Sequence, residues 1–498
     1  MSQSIHSIDS KLVHEHNKHI IKPPDFSLSS IKQYFVTRFT SLWVGTEELK
    51  QYSLSQVLNP FQPLVELNLH QWNFFAVSFL GWTLDAFDFF TTSLNVSNIA
   101  KDLNVSIYDI TWGITLVLLL RTVGAVIFGL LGDNWGRKWP FIINLGILAV
   151  IQLGTGFVKT YKQFLAVRAI FGIAMGGIFG ITCGDALGDA PKNARGVLSG
   201  IFQEGYALGY LFAVIFQRAI ANTTKPGWRS LFWFSAGLSL LLMVWRATMS
   251  ETDSYKRQKE RMKENAAAKK NSKFAEFKSQ YKKVIKTHWL IMIYLIIMMS
   301  FFNYSSHASQ DINDKVTVIN VCANLGALAG GIVISHASNF IGRRTAAICG
   351  NIIAGAFIYP WAFKPMWVTA FFMQFGIQGS WSIVPIHLSE LSPASMRVFL
   401  SGVAYQLGNM ASSASSTIEA RIEQNLHIYG QTMSIFVGCV VACLFLTMLF
   451  GPENRGADLG MERDDELSVY DIDDEENDDK KEILNDTSCE KPEVEHKV

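Results

Sequence analysis

Four ionisable residues, Asp85, Asp88, Arg121 and Glu204, lie inside long apolar runs. A charge buried in such a run is costly and usually indicates function. Asp85 and Asp88 are three residues apart, so in a helix they share a face, and two carboxylates that close tend to hold one proton between them. Arg121 requires an acid or a polar cavity, and one of the two aspartates is its natural partner. A purely structural ion pair is the alternative interpretation for each of the four.

A second group of polar residues follows one apolar run. Seven of the nine positions 303–311 are polar, and Asn303, Ser306, His307 and Gln310 have the spacing of one helical face. This face must contact protein or water, because lipid cannot satisfy it. An imidazole can exchange a proton near neutral pH, and hydroxyl and amide groups can hold carboxylate oxygens. The pattern predicts a binding face rather than simple packing.

The distribution of charged residues along the 498-residue chain indicates what kind of structure carries these polar residues. Residues 1–70, 251–287 and 452–498 hold 12, 17 and 24 charged side chains, whereas the other 344 residues hold only 32. A soluble fold of that size cannot leave so little charge on its surface. The sequence therefore predicts a polytopic membrane protein and excludes a secreted disulfide scaffold and a nucleic-acid binder. The six cysteines have neither disulfide-framework nor zinc-site spacing, and no cofactor or metal is expected.

Twelve apolar runs are close in length to the roughly 20 residues that a helix needs to cross a bilayer. They lie near 73–95, 110–132, 140–158, 164–187, 197–217, 230–248, 288–311, 316–337, 346–363, 366–388, 398–418 and 431–450. We predict an all-α membrane protein with six spans in each of two halves, 71–250 and 288–451. The basic loop 251–287 is expected in the cytoplasm by the positive-inside rule. An even number of spans puts both termini there, as a cytoplasmic extension (1–70) and an acidic, disordered tail (452–498).

The two halves repeat each other. The frame Asp133-x2-Gly136-Arg137 recurs as Asn339-x2-Gly342-Arg343 at an offset of 206, and the sequence from Pro191 to Gly200 recurs from Pro393 to Gly402 at an offset of 202. Related halves joined by a loop are typical of alternating-access transporters whose binding site lies between the halves.

The second offset pairs Glu204 with Gln406. Gln406, Asn409 and Ser413 form a polar stripe at i, i+3 and i+7. Paired polar positions on equivalent helices suit a central site shared by both halves, and hydrogen bonds that only pack the helices are the alternative.

The loop Gly129-x3-Asp133-x2-Gly136-Arg137 resembles the signature of the major facilitator superfamily, over roughly residues 70–450. The resemblance implies a latch between the cytoplasmic ends of neighbouring helices, in which Asp133 pairs with an arginine or a helix N-terminus. Arg168-x3-Gly172-x3-Gly176 resembles the fourth-span motif of that family. We expect Arg168 near the cytoplasmic packing motif, with a structural or gating role.

The run Asn303-x2-Ser306-His307-x-Ser309-Gln310-Asp311 resembles the signature of the fungal Jen family of proton-coupled carboxylate transporters. The segments Gly81-Trp-Thr-Leu-Asp85, Arg121-x2-Gly124-Ala125 and Tyr405-Gln406-Leu-Gly408-Asn409 are similar to the same family. The resemblance implies import of lactate, pyruvate or acetate, or of succinate and malate, with a proton at the plasma membrane.

This sequence departs from the Jen signature at residue 315, a lysine where the signature closes with threonine. Only residues 312–315 separate Asp311 from the next span, which is shorter than that family usually has. The shortened connection makes a carboxylate sensor without transport a second interpretation.

Together, the residue patterns and the resemblances suggest a role for each candidate residue. Arg121 binds the substrate carboxylate, and Asn303, Ser306, His307, Ser309, Gln310 and Gln406 shape its pocket. Asp85, Asp88, Glu204 and Asp311 are the candidates for carrying the proton. The expected partners are the small carboxylate, protons and the bilayer, with ubiquitin or the trafficking machinery as further candidates at the lysines of loops and tail. Uptake of sugars or inorganic phosphate is the alternative transport function, and no nucleophile–base set, metal spacing or nucleotide loop favours an enzyme.

Overall fold

The computed structural model describes residues 26–42, 44, 49–50, 52–268, 273–310, 317–364, 366–413, 429–457 and 459. Within these ranges the regular structure is helical. The helices before the predicted basic loop are α1 (Leu28–Thr40), α2 (Leu54–Leu58), α3 (Leu69–Leu94), α4 (Val96–Leu103), α5 (Ile107–Trp135), α6 (Lys138–Thr155), α7 (Tyr161–Gly188), α8 (Arg195–Phe216) and α9 (Arg229–Thr248). Those that follow are α10 (Asp253–Ala268), α11 (Lys273–Gln310), α12 (Thr317–Ile341), α13 (Arg343–Phe363), α14 (Trp367–Trp381), α15 (Val384–Leu391), α16 (Arg397–Ser412) and α17 (Tyr429–Phe450).

Ten helices of the described residues are long and apolar enough to cross a membrane. These candidate spans correspond to α3, α5, α6, α7, α8, α9, α11, α12, α13 and α17. The two other predicted spans correspond to shorter helices: α16 reaches the edge of a described range, and the predicted span 366–388 is divided into α14 and α15. Pro385 lies in the first turn of α15, where its missing N–H costs no hydrogen bond, so a new helix starts there.

The helix ends also differ from the sequence prediction in the middle of the chain. The predicted seventh span begins at residue 288, but α11 begins 15 residues earlier, at Lys273, and its backbone is non-helical at His288. Part of the predicted basic loop is therefore helical, and it meets the spanning segment at a kink at His288, where the predicted span begins.

Glycines allow close approach of equivalent helices in each half. A Cβ at Gly124 of α5 would strike the Ile173 carbonyl of α7, and a Cβ at Gly330 of α12 would strike the Phe375 carbonyl of α14. Gly124 and Gly330 are 206 residues apart, which is the repeat offset of the sequence. Small residues let helices pack at backbone distance, and here they do so at corresponding places in both halves.

The two halves meet along equivalent helix pairs. Gly196 and Gly200 of α8 lie against the Ser335 and Gly331 carbonyls of α12. On the other side, a Cβ at Gly129 of α5 would lie 2.6 Å from the Phe399 Cα of α16. The centre between α3, α5, α8 and α16 is therefore enclosed by both halves, and this is where the candidate site lies.

Candidate transport site

Arg121 and Asp85 form the centre of the site. Both are buried, and they interact electrostatically across α5 and α3. Neither carboxylate oxygen of Asp85, nor Nε and Nη2 of Arg121, has a hydrogen-bond partner among the described residues. Buried polar atoms are rarely left this way in native structures, so this pair is equipped to take up a proton or an anion.

Aromatic rings from both halves close over this pair. Trp82 of α3 packs against Phe179 of α7 and Tyr206 of α8, with ring centroids 5.3 and 5.5 Å apart. From the other half, Tyr405 stacks on Phe179 at 3.7 Å, and Trp381 lies 6.1 Å from Tyr405. The hydroxyl-bearing rings of Tyr206 and Tyr405 both interact electrostatically with Arg121 and Asp85. In this conformation the centre is covered by rings that the sequence analysis did not assign to the site.

Asp88 belongs to a different network from Asp85. It accepts a hydrogen bond from the Ser235 hydroxyl of α9 and interacts with Arg168 of α7. No hydrogen bond joins the two aspartates among the described residues, although the two carboxyl groups interact electrostatically. Arg121 faces Asp85, which resolves the choice of partner that the sequence left open.

Arg168 lies at the opposite end of the bundle from its expected place. Its guanidinium donates to Thr92 at 3.0 Å and to Thr155 at 2.9 Å, both of which lie at the far ends of their helices from the 129–138 loop. It also donates to Gln152 at 3.2 Å and lies over the Phe171 ring at 4.4 Å. The expectation that Arg168 is near the cytoplasmic packing motif is wrong, because it occupies the first third of α7, which runs toward that motif.

Glu204 and Gln406 lie at separate points between the halves. A Cβ added at Gly331 of α12 would lie 2.8 Å from Oε1 of Glu204, so this carboxyl group faces the opposite half. Gln406 is buried, and its Oε1 accepts from Asn409 at 3.2 Å while its Nε2 has no partner in the part of the chain described.

The polar face of α11 forms hydrogen bonds mainly with α14. Gln378 donates to the Ser306 hydroxyl at 3.1 Å, and Gln374 donates to the Ser309 carbonyl at 3.0 Å. Asn303 is buried and donates to the Met299 carbonyl at 3.0 Å, one turn back in its own helix. Gln374 and Gln378 were not among the residues predicted from sequence, although two amides four residues apart in an apolar span are a detectable signal.

The remaining signature residues are placed only in part. The His307 side chain is exposed at the end of α11. The side chain of Gln310 and the whole of Asp311, together with the shortened connection 312–315, lie outside the described residues.

The loop between α5 and α6 connects the two halves at one end of the molecule. Asp133 accepts from the backbone amides of Val398 and Phe399, both at 3.0 Å, and from the Tyr281 hydroxyl at 3.1 Å. The two amides are in the first turn of α16, where backbone donors lack helical partners and a carboxylate is favourable. Gly136 has φ of +95°, a conformation that a side chain would strain, and it turns the chain so that Arg137 reaches the Gly184 carbonyl at 2.7 Å.

The second half repeats this arrangement with different chemistry. Gly342 has φ of +96°, and Arg343 forms a bidentate pair with Glu390, both distances being 3.0 Å. In the first half, the equivalent arginine, Arg137, donates to the Gly184 carbonyl instead, and a separate buried acid–base pair joins Asp185 of α7 to Arg246 of α9 at 3.0 Å.

The segment after α17, described at residues 451–457 and 459, is bonded to both halves at the same end. Arg195 of α8 donates to the Ala457 carbonyl at 2.7 Å, and Arg397 of α16 donates to the Leu459 carbonyl. Glu390 accepts from the Gly456 amide at 3.0 Å, and Glu453 accepts from the Arg344 amide at 2.9 Å. The two arginines are repeat-related, so each half contributes an equivalent contact to one segment.

Comparisons with known proteins agree with this architecture. Residues 78–416 match the Major Facilitator Superfamily. A carboxylic acid transporter protein homolog of Saccharomyces cerevisiae is 37% identical over 474 residues, covering 88% of this chain and 76% of the yeast protein. The chain therefore belongs to the major facilitator superfamily, in its fungal carboxylate-transporter branch, and is a membrane transporter rather than an enzyme.

Solved structures of other members share the fold. The proton:xylose symporter XylE is similar with a TM-score of 0.60 at 18% identity, covering 78% of this chain and 98% of that structure. The human organic anion transporter MFSD10 has a TM-score of 0.56 at 13% identity, covering 77% of this chain and 100% of that structure. At these identities the likeness extends to the fold alone.

Proposed function

We propose that this protein imports small carboxylates, with lactate, pyruvate, acetate, succinate and malate as candidates, together with a proton, by alternating access. The proposal rests on the buried Arg121 and Asp85 between the halves, four of whose polar atoms have no hydrogen-bond partner among the described residues. The name of the yeast relative, a carboxylic acid transporter homolog, supports the substrate class.

The pair suggests how proton and substrate are coupled. When a substrate carboxylate pairs with Arg121, Asp85 loses its positive neighbour and is left buried without a counter-ion. A buried, unpaired carboxylate is strongly disfavoured as an anion, so Asp85 takes a proton. Asp88, Glu204 and Asp311 remain alternative carriers, and Asn303, Ser306, His307, Ser309, Gln310 and Gln406 remain candidates for shaping the pocket.

Uptake of labelled lactate and succinate tests the substrate class and the coupling together. The experiment uses yeast without its own carboxylate importers, at pH 5 and pH 7. We expect greater accumulation at pH 5 and its collapse on addition of a protonophore. Accumulation that is insensitive to the protonophore would contradict symport, and excess unlabelled sugar or phosphate that competes would favour the alternative substrates.

Arg121→Ala tests the binding assignment. Because the guanidinium is the buried cation facing the centre, we expect uptake to fall at least tenfold with unchanged plasma-membrane abundance, and Arg121→Lys to recover only part of it. Arg218→Ala is the matched control, since Arg218 is exposed at the end of α8. Normal uptake by Arg121→Ala would refute the assignment.

A sensor that binds but does not transport is the second candidate, favoured by the shortened 312–315 connection. Binding of labelled substrate to purified protein, without accumulation in cells, would identify it.

We further propose plasma-membrane location with both termini in the cytoplasm, and the division into extension, two halves, basic loop and tail given above. Basic side chains of α10, including Lys256 and Lys259, are exposed on the side of the 129–138 loop, which fits the positive-inside rule. Antibody access to tags at each end, before and after permeabilisation, tests the topology. Ubiquitin attachment to loop or tail lysines stays a proposal, tested by mass spectrometry of the purified protein.

A further inference from the structure

The polar and apolar sides of helix α1 are placed opposite to what is expected for a helix that packs on a protein surface in water. The side chains that face the protein are mostly polar: Ser30, Tyr34, Thr37, Arg38 and Ser41. The outward side carries exposed apolar side chains, including Leu28 at 88%, Val36 at 54% and Phe39 at 51% exposure. A helix bathed in water would bury the apolar side and expose the polar one.

The helix has three sectors, when residues are placed at about 100° intervals around its axis. The protein-facing residues just named occupy one sector. A second sector contains only polar exposed residues, Ser29, Gln33 and Thr40. The third contains the exposed apolar residues Leu28, Ile31, Phe35, Val36 and Phe39, and Lys32 lies within it, between Phe39 and Val36 around the axis. Three sectors of different chemistry indicate three different environments.

The contacts of α1 fix its position relative to the membrane-spanning bundle. The Tyr34 hydroxyl donates to the Phe450 carbonyl at 2.8 Å, at the end of α17. The Phe35 and Phe39 rings pack edge-on against the Phe450 ring at 5.7 and 6.1 Å. Arg344, at the start of α13, donates to the Arg38 carbonyl at 3.2 Å. The helix is thus attached where α17 leaves the apolar region.

The apolar sector continues the lipid-facing surface of α17. Ile435, Cys439, Cys443 and Leu446 are exposed at helical spacing along α17, and the stripe leads to Phe450. A spanning helix presents such a stripe to lipid, because apolar side chains have no partner in water. Phe35 and Phe39, which touch Phe450, extend the stripe beyond the end of α17.

We infer that α1 is an interfacial helix that lies in the bilayer at the headgroup level, with its apolar sector in the acyl boundary. In this position the apolar stem of Lys32, which lies within the apolar sector, extends so that its ammonium group reaches the lipid headgroups. Ser29, Gln33 and Thr40 face the aqueous side. The inference concerns the N-terminal extension, which the charge distribution alone indicated to be a polar cytoplasmic segment. It is independent of the transported substrate.

Spin labels in proteoliposomes test this position. A full-length chain with all six cysteines replaced receives single cysteines at Leu28 or Val36 in the apolar sector, and at Ser29 or Gln33 in the polar sector. These four side chains have no ring contact with Phe450, so labelling leaves the docking intact. Leu446→Cys on α17 serves as the lipid-exposed reference, and monodisperse elution confirms folding of each variant.

We expect labels at 28 and 36 to be more accessible to oxygen than to a water-soluble nickel chelate, as at 446, and the labels at 29 and 33 to show the opposite preference. Chelate-accessible labels at 28 and 36 would place the apolar sector in water. Labels there that neither reagent reaches would mean that protein, such as a second copy of the chain, covers the sector. Either result overturns the inference.

A second measurement avoids the cysteine replacements. A photoreactive benzophenone amino acid at Val36 is expected to form lipid adducts detectable by mass spectrometry, whereas the same group at Gln33 is not. Equal yields of lipid adduct at both positions, or none at either, would contradict the proposed position.

Discussion

At the scale of single residues, the site separates two acids that the sequence places on one helical face. Asp85 faces Arg121, and Asp88 faces Ser235 and Arg168. A separation of three residues brings two side chains near each other on one helix. Which groups they contact depends on the neighbouring helices. The two aspartates are therefore expected to differ in function.

Asp85→Asn is expected to uncouple transport from the proton. An amide cannot bind or release the proton, so accumulation should fall at least tenfold while exchange of labelled for unlabelled substrate continues. Counterflow and protonophore-sensitive uptake in proteoliposomes measure the two activities.

Asp88→Asn is the matched comparison. Asp88 interacts with Ser235 and Arg168 rather than with Arg121, so we expect coupling to persist and stability to fall by about 1–3 kcal/mol, because the buried polar network around this side chain is disturbed. Thermal unfolding in detergent measures the stability. If Asp88→Asn uncouples and Asp85→Asn does not, the assignment of the proton to Asp85 is wrong.

The residue-level prediction from sequence was strongest where a charge in an apolar run marks itself. Arg121 and Asp85 could be singled out this way, and Gln406 through its repeat relation to Glu204, but Trp82, Phe179 and Tyr405 could not. Aromatic residues are common in spans, and only the approach of α7 to α16 shows that these rings meet over the site. Whether a side chain faces the centre depends on helix rotation, which spacing in one helix does not determine.

At the scale of helices, close packing of α5 on α7 determines where Arg121 lies. A Cβ at Gly176 would strike the Arg121 carbonyl, and a Cβ at Gly172 would lie 2.8 Å from the Val117 carbonyl. The contact is backbone to backbone, so no side chain can move aside to relieve it. The glycines of the fourth-span motif therefore determine how closely the backbone of Arg121 approaches α7.

Gly176→Ala is expected to destabilise the protein by at least about 1–3 kcal/mol and to lower uptake, because α7 must move away from Arg121. Gly237→Ala in α9 is the control, since a Cβ there would meet nothing within 4 Å. Melting temperature and uptake per molecule at the cell surface measure both effects. Equal behaviour of the two variants would show that α5 and α7 tolerate a wider separation.

Helix positions were predictable from sequence to the extent that apolar length determines them. The division of the predicted tenth span at Pro385 and the early start of α11 were not, because both depend on local backbone geometry within otherwise continuous patterns. The amphipathic α1 was hidden in a segment whose overall composition is polar.

At the scale of the whole molecule, one end is closed by bonds between the halves and the centre is covered by rings. Asp133 binds the first turn of α16, and Arg195 binds the segment after α17. Opening that end requires both contacts to break, whereas the hydrogen bonds within each half can persist. These contacts therefore favour the conformation closed at this end.

Asp133→Asn combined with Arg195→Gln is expected to shift the population toward the conformation open at that end. A carboxylate at a helix N-terminus contributes up to about 2 kcal/mol, so its loss is enough for a shift of roughly tenfold or more. Distances between spin labels at Lys192 and Lys286, both exposed on that side, are expected to lengthen. Arg218→Gln, away from both contacts, should leave the distribution unchanged, and an unaltered distribution in the double variant would show that other contacts hold the end closed.

The bonds made by residues 451–459 also determine where a reporter can be attached. A fluorescent protein fused directly after Phe450 would remove the carbonyls that Arg195 and Arg397 hold, and the amide that Glu390 binds. Such a fusion would report on a transporter that opens too readily, and weak uptake would be mistaken for a trafficking defect. A fusion placed after residue 460 retains every one of these bonds. The point of fusion at this end is therefore expected to affect transport activity.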